Sequence, residues 1–150
     1  MMGEAATRAA SRRKSAAPDG YDQVVRREEF EEAHPAAHIR CDGRDWRAQW
    51  SLGGPPLASR PHWQLNGLLD ELDRLAAVDA ERRAIMGDFP GWHCYVTRRG
   101  PMEWWRAFPL GDGVQAPPEV IAATPAGLRT VIAAAAWSRW RLIVPEWAAA

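Results

Sequence analysis

The side chains that could bind a metal ion are four histidines and two cysteines: His34, His38, Cys41, His62, His93 and Cys94. His34 and His38 have a spacing that suits one face of a continuous helix, but Pro35 stands between them. His93 and Cys94 are adjacent on a predicted strand, so their side chains point to opposite faces. Neither Cys-x-x-Cys nor His-Glu-x-x-His spacing occurs in the sequence. The pattern therefore predicts scattered surface or partly buried residues, with no metal and no other cofactor.

Motifs for nucleophilic catalysis and for phosphate binding are also missing from the sequence. It contains no Gly-x-Ser-x-Gly, and neither cysteine has a histidine and an acid at a recognisable spacing. The glycines at 111–113 lead to prolines, whereas a phosphate-binding loop leads into a helix. The acidic runs at 28–32 and 70–73 lie on predicted helices, where we expect them to face water. The sequence predicts a protein that is not an enzyme, and a small uncharacterised enzyme stays open as an alternative.

Nine tryptophans are the most unusual feature of the composition. Small units gain burial from large aromatic side chains, and this favours a structural role for several of them. The predicted core consists of Trp46, Trp63, Leu68, Leu72, Trp92, Trp105, Leu128 and Ile132. Trp104 and Trp105 are neighbours on a predicted strand, so one of them must face away from the covering helix. Trp137 and Trp140 lie near a helix end beside arginines, and packing between units or against a partner is the favoured interpretation for them.

The elements that must position these residues come in two copies. Trp46-Arg47-Ala48 reappears as Trp105-Arg106-Ala107. The separation between Trp46 and Gly67-Leu68 is nearly the same as that between Trp105 and Gly127-Leu128. The repeat is about 60 residues long. The recurring glycines predict close packing where no side chain fits. Cys41 and Cys94 fall early in the first strand of their copies, which suggests equivalent buried positions.

Each copy is predicted to contain a helix, two or three antiparallel strands and a second helix. Asp42-Gly43 and Arg98-Arg99-Gly100-Pro101 are predicted turns, and Thr124 followed by Pro125 is a favourable helix start. The predicted helices cover 21–34, 61–78, 80–88 and 124–141, and the predicted strands cover 38–41, 46–50, 57–59, 92–97, 103–108 and 119–123. The fold class is therefore α+β, with two tandem units packed together.

The predicted boundaries follow from this repeat. Residues 1–20 are small, polar and basic, so we expect a disordered basic arm. The first α+β repeat covers 21–78, the second covers 79–141, and 142–150 form a C-terminal tail.

The second copy resembles a small domain of unknown function that is common in actinobacterial proteins. The resemblance is carried by Phe89-Pro90-Gly91-Trp92, Thr97-Arg98-Arg99-Gly100-Pro101 and Thr124-Pro125-Ala126-Gly127-Leu128. The first copy, from Phe30 through Pro35 to Trp46, is similar to the same kind of unit, so the resemblance covers about residues 22–140. It implies a compact α+β unit from a high-GC actinobacterium, and it brings no activity and no catalytic residue with it.

Charge and hydropathy limit the classes of partner. The formal net charge is zero, with 19 basic and 19 acidic residues, which argues against a general polyanion-binding protein. No apolar run approaches the ~20 residues of a membrane span, and no secretory signal is recognisable. We therefore expect a cytoplasmic protein without a membrane partner.

The function predicted from the sequence is a non-catalytic interaction or structural module. Its partner would be another protein or a second copy of the chain. The alternative is an accessory nucleic-acid-binding protein that uses the basic arm, because exposed aromatic rings beside arginines also stack single-stranded nucleic acid. The candidate interaction surface consists of Arg98, Arg99, Trp104, Trp137, Arg139, Trp140 and Arg141.

Overall fold

The computed structural model describes residues 20–111 and 119–143, with the side chains of 22–111 and 119–136. The predicted basic arm, apart from its last residue, and the tail from 144 onward lie outside the described residues. The chain divides into two compact units, Met1–Pro35 and Ala36–Ala150. Within the described ranges, none of the helices combines the length and the apolar character that a membrane crossing requires.

The described part of the first unit is helix α1, Gly20–Ala33. It matches the helix predicted for 21–34, and Pro35 follows it where the sequence predicts the end. On its surface the Arg27 Nε donates to the Glu31 carboxylate at 2.7 Å, one turn further along the helix.

The second unit begins with a three-stranded antiparallel sheet in the order β1-β2-β3. Its strands are β1 (His38–Asp42), β2 (Asp45–Ser51) and β3 (Pro56–Ala58). Gly43 takes a φ of 66° in the β1–β2 turn, which confirms the hairpin predicted from Asp42-Gly43. The alternation predicted for β2 is also confirmed, because Ala48 and Trp50 are buried while Gln49 is exposed.

Helix α2, Leu65–Asp88, is one continuous helix where the sequence predicted two, at 61–78 and 80–88. Asp79, at the predicted interruption, does not break the helix because arginines of the next turn engage its carboxylate. The Arg82 Nε donates to one oxygen at 2.8 Å, and the Arg83 Nε lies 3.0 Å from the other. Asp79 and Arg82 are both buried, and Arg82 also donates to the Cys94 carbonyl at 3.1 Å. This buried pair therefore attaches α2 to the sheet that follows it.

The second sheet is also antiparallel, in the order β4-β5-β6. Its strands are β4 (Trp92–Arg99), β5 (Met102–Pro109) and β6 (Val120–Ala122). The Val96 N–H donates to the Leu52 carbonyl at 3.1 Å, so the loop after β2 runs beside β4. Helix α2 contacts both β2 and β4, and it thus packs against both sheets.

Helix α3, Pro125–Ile143, packs against β5, β6 and α2. Thr124 caps it as predicted: its hydroxyl accepts from the Gly127 N–H at 3.0 Å. The predicted glycine packing is confirmed at both positions. A Cβ on Gly67 would lie 3.0 Å from the His62 Nδ1, and a Cβ on Gly127 would lie 3.0 Å from the Thr124 hydroxyl.

The core of the second unit forms between the sheets and the two long helices. Of the predicted core residues, six are buried and Trp46 is half-buried; the buried ones are Leu68, Leu72, Trp92, Trp105, Leu128 and Ile132. The prediction for Trp63 is wrong, because its side chain is 80% exposed. Helix α2 begins at Leu65 instead of Pro61, so the helical period that placed Trp63 on the apolar face does not extend to it.

The predicted equivalence of the two cysteines is also wrong. Cys94 is fully buried, whereas Cys41 is exposed beside the turn of the first hairpin. The registers explain the difference. Cys94 pairs with Ala107, and Ile39 pairs with Ala48, the counterpart of Ala107 in the repeat. The second hairpin has longer arms, so counting from the start of each strand aligned the wrong residues.

Candidate functional site

Arg98 and Arg99, which the sequence predicts in the turn of the second hairpin, point to opposite faces of strand β4. Strand β4 extends to Arg99, so alternation directs Arg98 toward α2 and Arg99 to the opposite face. The Arg98 side chain is only 12% exposed, which is less than we expect for a residue of an interaction surface. Four candidates lie outside the residues whose side chains are described: Trp137, Arg139, Trp140 and Arg141.

Arg98 belongs to a charged cluster of five side chains, which are His62, Glu71, Arg74, Arg98 and Glu103. The Glu71 carboxylate accepts from an Arg98 terminal nitrogen at 2.8 Å, and its other oxygen lies 2.6 Å from the His62 Nε2. The Glu103 carboxylate receives the second Arg98 nitrogen at 3.3 Å and the Arg74 guanidinium at 2.5 Å. The expectation that the acids at 70–73 all face water is therefore wrong for Glu71, whose side chain is 10% exposed.

The elements explain how these five side chains meet. Arg98 and Glu103 are direct partners across the β4–β5 register, and Glu71 and Arg74 are three residues apart on one face of α2. His62 is held by backbone bonds to Trp46 of β2, because the Trp46 N–H donates to its carbonyl at 2.6 Å and its own N–H donates back at 2.9 Å. The cluster consequently connects the first sheet, α2 and the second hairpin.

The electrostatics of the cluster favour ionised carboxylates. Burial by itself would raise the pKa of Glu71, but hydrogen bonds from His62 and Arg98 outweigh it and hold the pKa below its ordinary value. The hydrogen bond from Arg74 lowers the pKa of Glu103 more than burial raises it. The same bond raises the pKa of Arg74. Each charge therefore stabilises its neighbour in the ionised form.

An open cleft of about 690 Å³ borders the cluster. Besides the five cluster residues, its lining comprises Arg60, Asp70, Pro101, Met102 and Ala123. A smaller cavity of about 300 Å³ adjoins it and shares Arg60 and Arg98 with it. This site was not predicted from the sequence. Two features of the sequence could have indicated it. Arg98 and Glu103 flank a short turn, and Glu71 and Arg74 are three residues apart on a helix.

The contacts of the cluster suit a structural connection better than proton transfer. Glu71 occupies the His62 Nε2, and the His62 Nδ1 lies 3.0 Å from the position that a Cβ on Gly67 would take. Among the residues that the structure describes, no three His, Cys, Asp or Glu side chains are placed to hold a metal ion. His93 and Cys94 point apart as predicted, with Cys94 in the core and the His93 Nε2 at 2.7 Å from the Gly53 carbonyl.

A second candidate site is the outer face of the second sheet, opposite α3. Alternation places Tyr95, Trp104, Phe108 and Ile121 on this face together with Arg99 and Arg106. Phe108 is 39% exposed and Ile121 is 46% exposed, while Trp104 is half-buried. This face thus combines aromatic, aliphatic and basic side chains.

Part of the outer face is ordered by contacts within the sheet. The Phe108 ring lies 5.1 Å from the His93 ring and 6.1 Å from the Tyr95 ring, measured between centroids. The Arg106 Nε donates to the Thr97 hydroxyl at 3.0 Å, and Glu119 engages both Arg106 and the Tyr95 hydroxyl. The rings are therefore held in place before any partner arrives, which lowers the entropy that binding would cost.

Comparison with family models, with curated proteins and with solved structures finds no match to this chain. The resemblance to the actinobacterial domain accordingly stays a hypothesis based on short motifs.

Proposed function

We propose that this protein is a non-catalytic interaction module that binds a protein partner, or a second copy of itself, through the outer face of the second sheet. The observation that carries the proposal is the exposure of large apolar side chains on that face, chiefly Phe108 and Ile121 beside Trp104. Exposed apolar patches rimmed by polar groups are typical of protein interaction surfaces.

The composition of the face supports a protein partner. Aromatic residues and arginine are enriched at the centres of interfaces, and Trp104, Phe108 and Arg106 supply both kinds. The charged cluster supports the non-catalytic part of the proposal, because arginines bind both of its carboxylates and Glu71 also occupies the His62 Nε2. A cytoplasmic location also belongs to the proposal, since an exposed free Cys41 is suited to a reducing compartment.

Photo-crosslinking tests this function. A photoreactive amino acid at Ile121 should give a discrete adduct in cells that express the protein, and excess wild-type protein should compete with it. The same label at Gln49, exposed on the first sheet, is the matched control and should give no such adduct. Sedimentation of the purified chain over a range of concentrations then shows whether the partner is another copy.

A variant of the unlabelled competitor tests whether the adduct depends on the outer face. Excess Phe108→Ser should compete poorly, because it removes an exposed ring without opening the core. If the labels at Ile121 and Gln49 give the same adducts, or if Phe108→Ser competes as well as wild type, the outer face is not the interface.

Single-stranded nucleic acid is the second candidate partner. The observation that favours it is the position of Trp104 between two arginines of the same face, Arg99 and Arg106. Labelled single-stranded RNA and DNA should then bind at low salt and lose affinity steeply as salt rises, and Trp104→Ala should weaken the binding. Absence of binding at low salt would remove this candidate.

A further inference from the structure

The smaller cavity beside the charged cluster has a one-sided charge. It is formed by residues 56–59 of β3 and the following segment, by Arg60, and by Arg98 and Gly100 of the second hairpin. Among the described residues that line it there are two arginines and no acid, whereas the adjoining larger cleft has Asp70, Glu71 and Glu103 in its lining. Arg98 lines both, with its carboxylate partners on the side of the larger cleft.

Arg98 is held firmly and still has donors to offer. A guanidinium carries five N–H groups, and Glu71 and Glu103 account for one on each terminal nitrogen. Within the part of the chain that the structure describes, the other donors of Arg98 have no hydrogen-bond acceptor. The two carboxylates fix the orientation of the guanidinium, so a ligand would find it already positioned.

Arg60 supplies the second guanidinium. Its backbone N–H donates to Glu71 at 3.4 Å, and its carbonyl accepts from the Ser59 hydroxyl at 3.0 Å, so its main chain is anchored. Its side chain forms no hydrogen bond or ion pair with any described residue. The free guanidinium of Arg60 and the guanidinium of Arg98 therefore line the same cavity.

We propose that the cavity between β3 and the second hairpin binds a small oxyanion, a phosphate or carboxylate group of a small molecule, through Arg60 and Arg98. Planar guanidinium groups match the oxygens of both anions and can donate two parallel hydrogen bonds. The volume of about 300 Å³ lies at the lower end of small-molecule sites, which suits a compact ligand. This site shares no side chain with the outer face, so the two proposals succeed or fail independently.

Amide chemical-shift titration of the full chain tests the proposal, with inorganic phosphate and acetate as probes at constant ionic strength in sodium chloride. We expect saturable shifts at millimolar phosphate that are confined to residues 57–60 and 98–100. Shifts with phosphate alone would identify a phosphate group, and comparable shifts with acetate would identify a carboxylate. Either result supports the site. No saturable shift with either probe, or shifts spread over all exposed arginines, would overturn it.

Two variants make the test specific without disturbing the cluster. Arg60→Gln removes a side chain that has no partner among the described residues, and it should weaken phosphate binding by about fivefold or more. Arg99→Gln is the matched control, because Arg99 is adjacent to Arg98 but points to the other face of the strand. Equal weakening by the two variants would show that only the general positive charge matters, and the proposal would then be wrong.

Discussion

Asp79→Asn should destabilise the protein strongly, because it leaves the Arg82 guanidinium buried without its counter-ion. The side chains of Asp79 and Arg82 are each only 9% exposed, and the Nε–carboxylate distance is 2.8 Å. Breaking a buried ion pair by removing one partner costs about 3–5 kcal/mol. The asparagine oxygen can still accept from Arg82, so we expect a cost at or just below the lower limit of that range, about 2–3 kcal/mol.

Two controls separate the buried pair from ordinary surface charge. Arg83 lies 3.0 Å from the other Asp79 oxygen but is 71% exposed, so Arg83→Ala should cost less than about 1 kcal/mol. The double variant Asp79→Leu/Arg82→Met replaces both charges with apolar side chains of similar size. It should be more stable than Asp79→Asn, although the Cys94 carbonyl loses its donor.

The assay is urea unfolding followed by tryptophan fluorescence, with stability taken from the midpoint and the slope. The three variants should rank with Asp79→Asn as the least stable. If Asp79→Asn lies within about 0.5 kcal/mol of wild type, or if it matches Arg83→Ala, then Arg82 is not desolvated and the account of this pair is wrong.

Three further results are expected. Acidification should unfold the protein progressively below the ordinary glutamate pKa near 4.5, because both glutamates of the charged cluster have a lowered pKa in the folded state. The stabilisation that they contribute is complete above that pH and is lost as the pH falls through their folded-state pKa values. Urea midpoints measured at several pH values would show this loss. Gly87→Ala should stabilise the protein by up to about 1 kcal/mol, since the new Cβ would meet nothing within 4 Å. Gly67→Ala should destabilise it, because the new Cβ would press on His62. If both variants raise the melting temperature, the close packing at Gly67 is contradicted. Cys41 should react with a thiol reagent in the native protein, while Cys94, which is buried and has a raised pKa, should react only on unfolding, so two fast thiols would contradict the structure.

Short-range sequence patterns were sufficient to predict most of the helices, strands and turns. The turn at Asp42-Gly43 and the cap at Thr124 depend on residues within one turn of each other, and both are present as predicted. Strand alternation correctly separated Ala48 and Trp50 from Gln49, because one face of a small sheet must be covered. The two repeated glycines also followed from the sequence, since a recurring glycine inside a helix has a cost that close packing must offset.

Side-chain pairing and burial decided the rest. Helix α2 continues through residue 79 because Arg82 and Arg83 neutralise the aspartate, and it begins only at Leu65, which leaves Trp63 in solvent. The sequence predicts a turn at Arg98, but strand β4 continues to Arg99 and directs Arg98 toward Glu71, 27 residues away.

The sequence by itself determined the α+β class, the position of each hairpin and the repeat, because these depend on residue types and short spacings. Only the tertiary structure decided which charges are paired, which tryptophans are covered and where the two cavities lie. The physical reason is that burial and ion pairing are set by whichever element packs opposite a side chain. In this chain that element is α2, which packs against both sheets and brings Glu71 to Arg98.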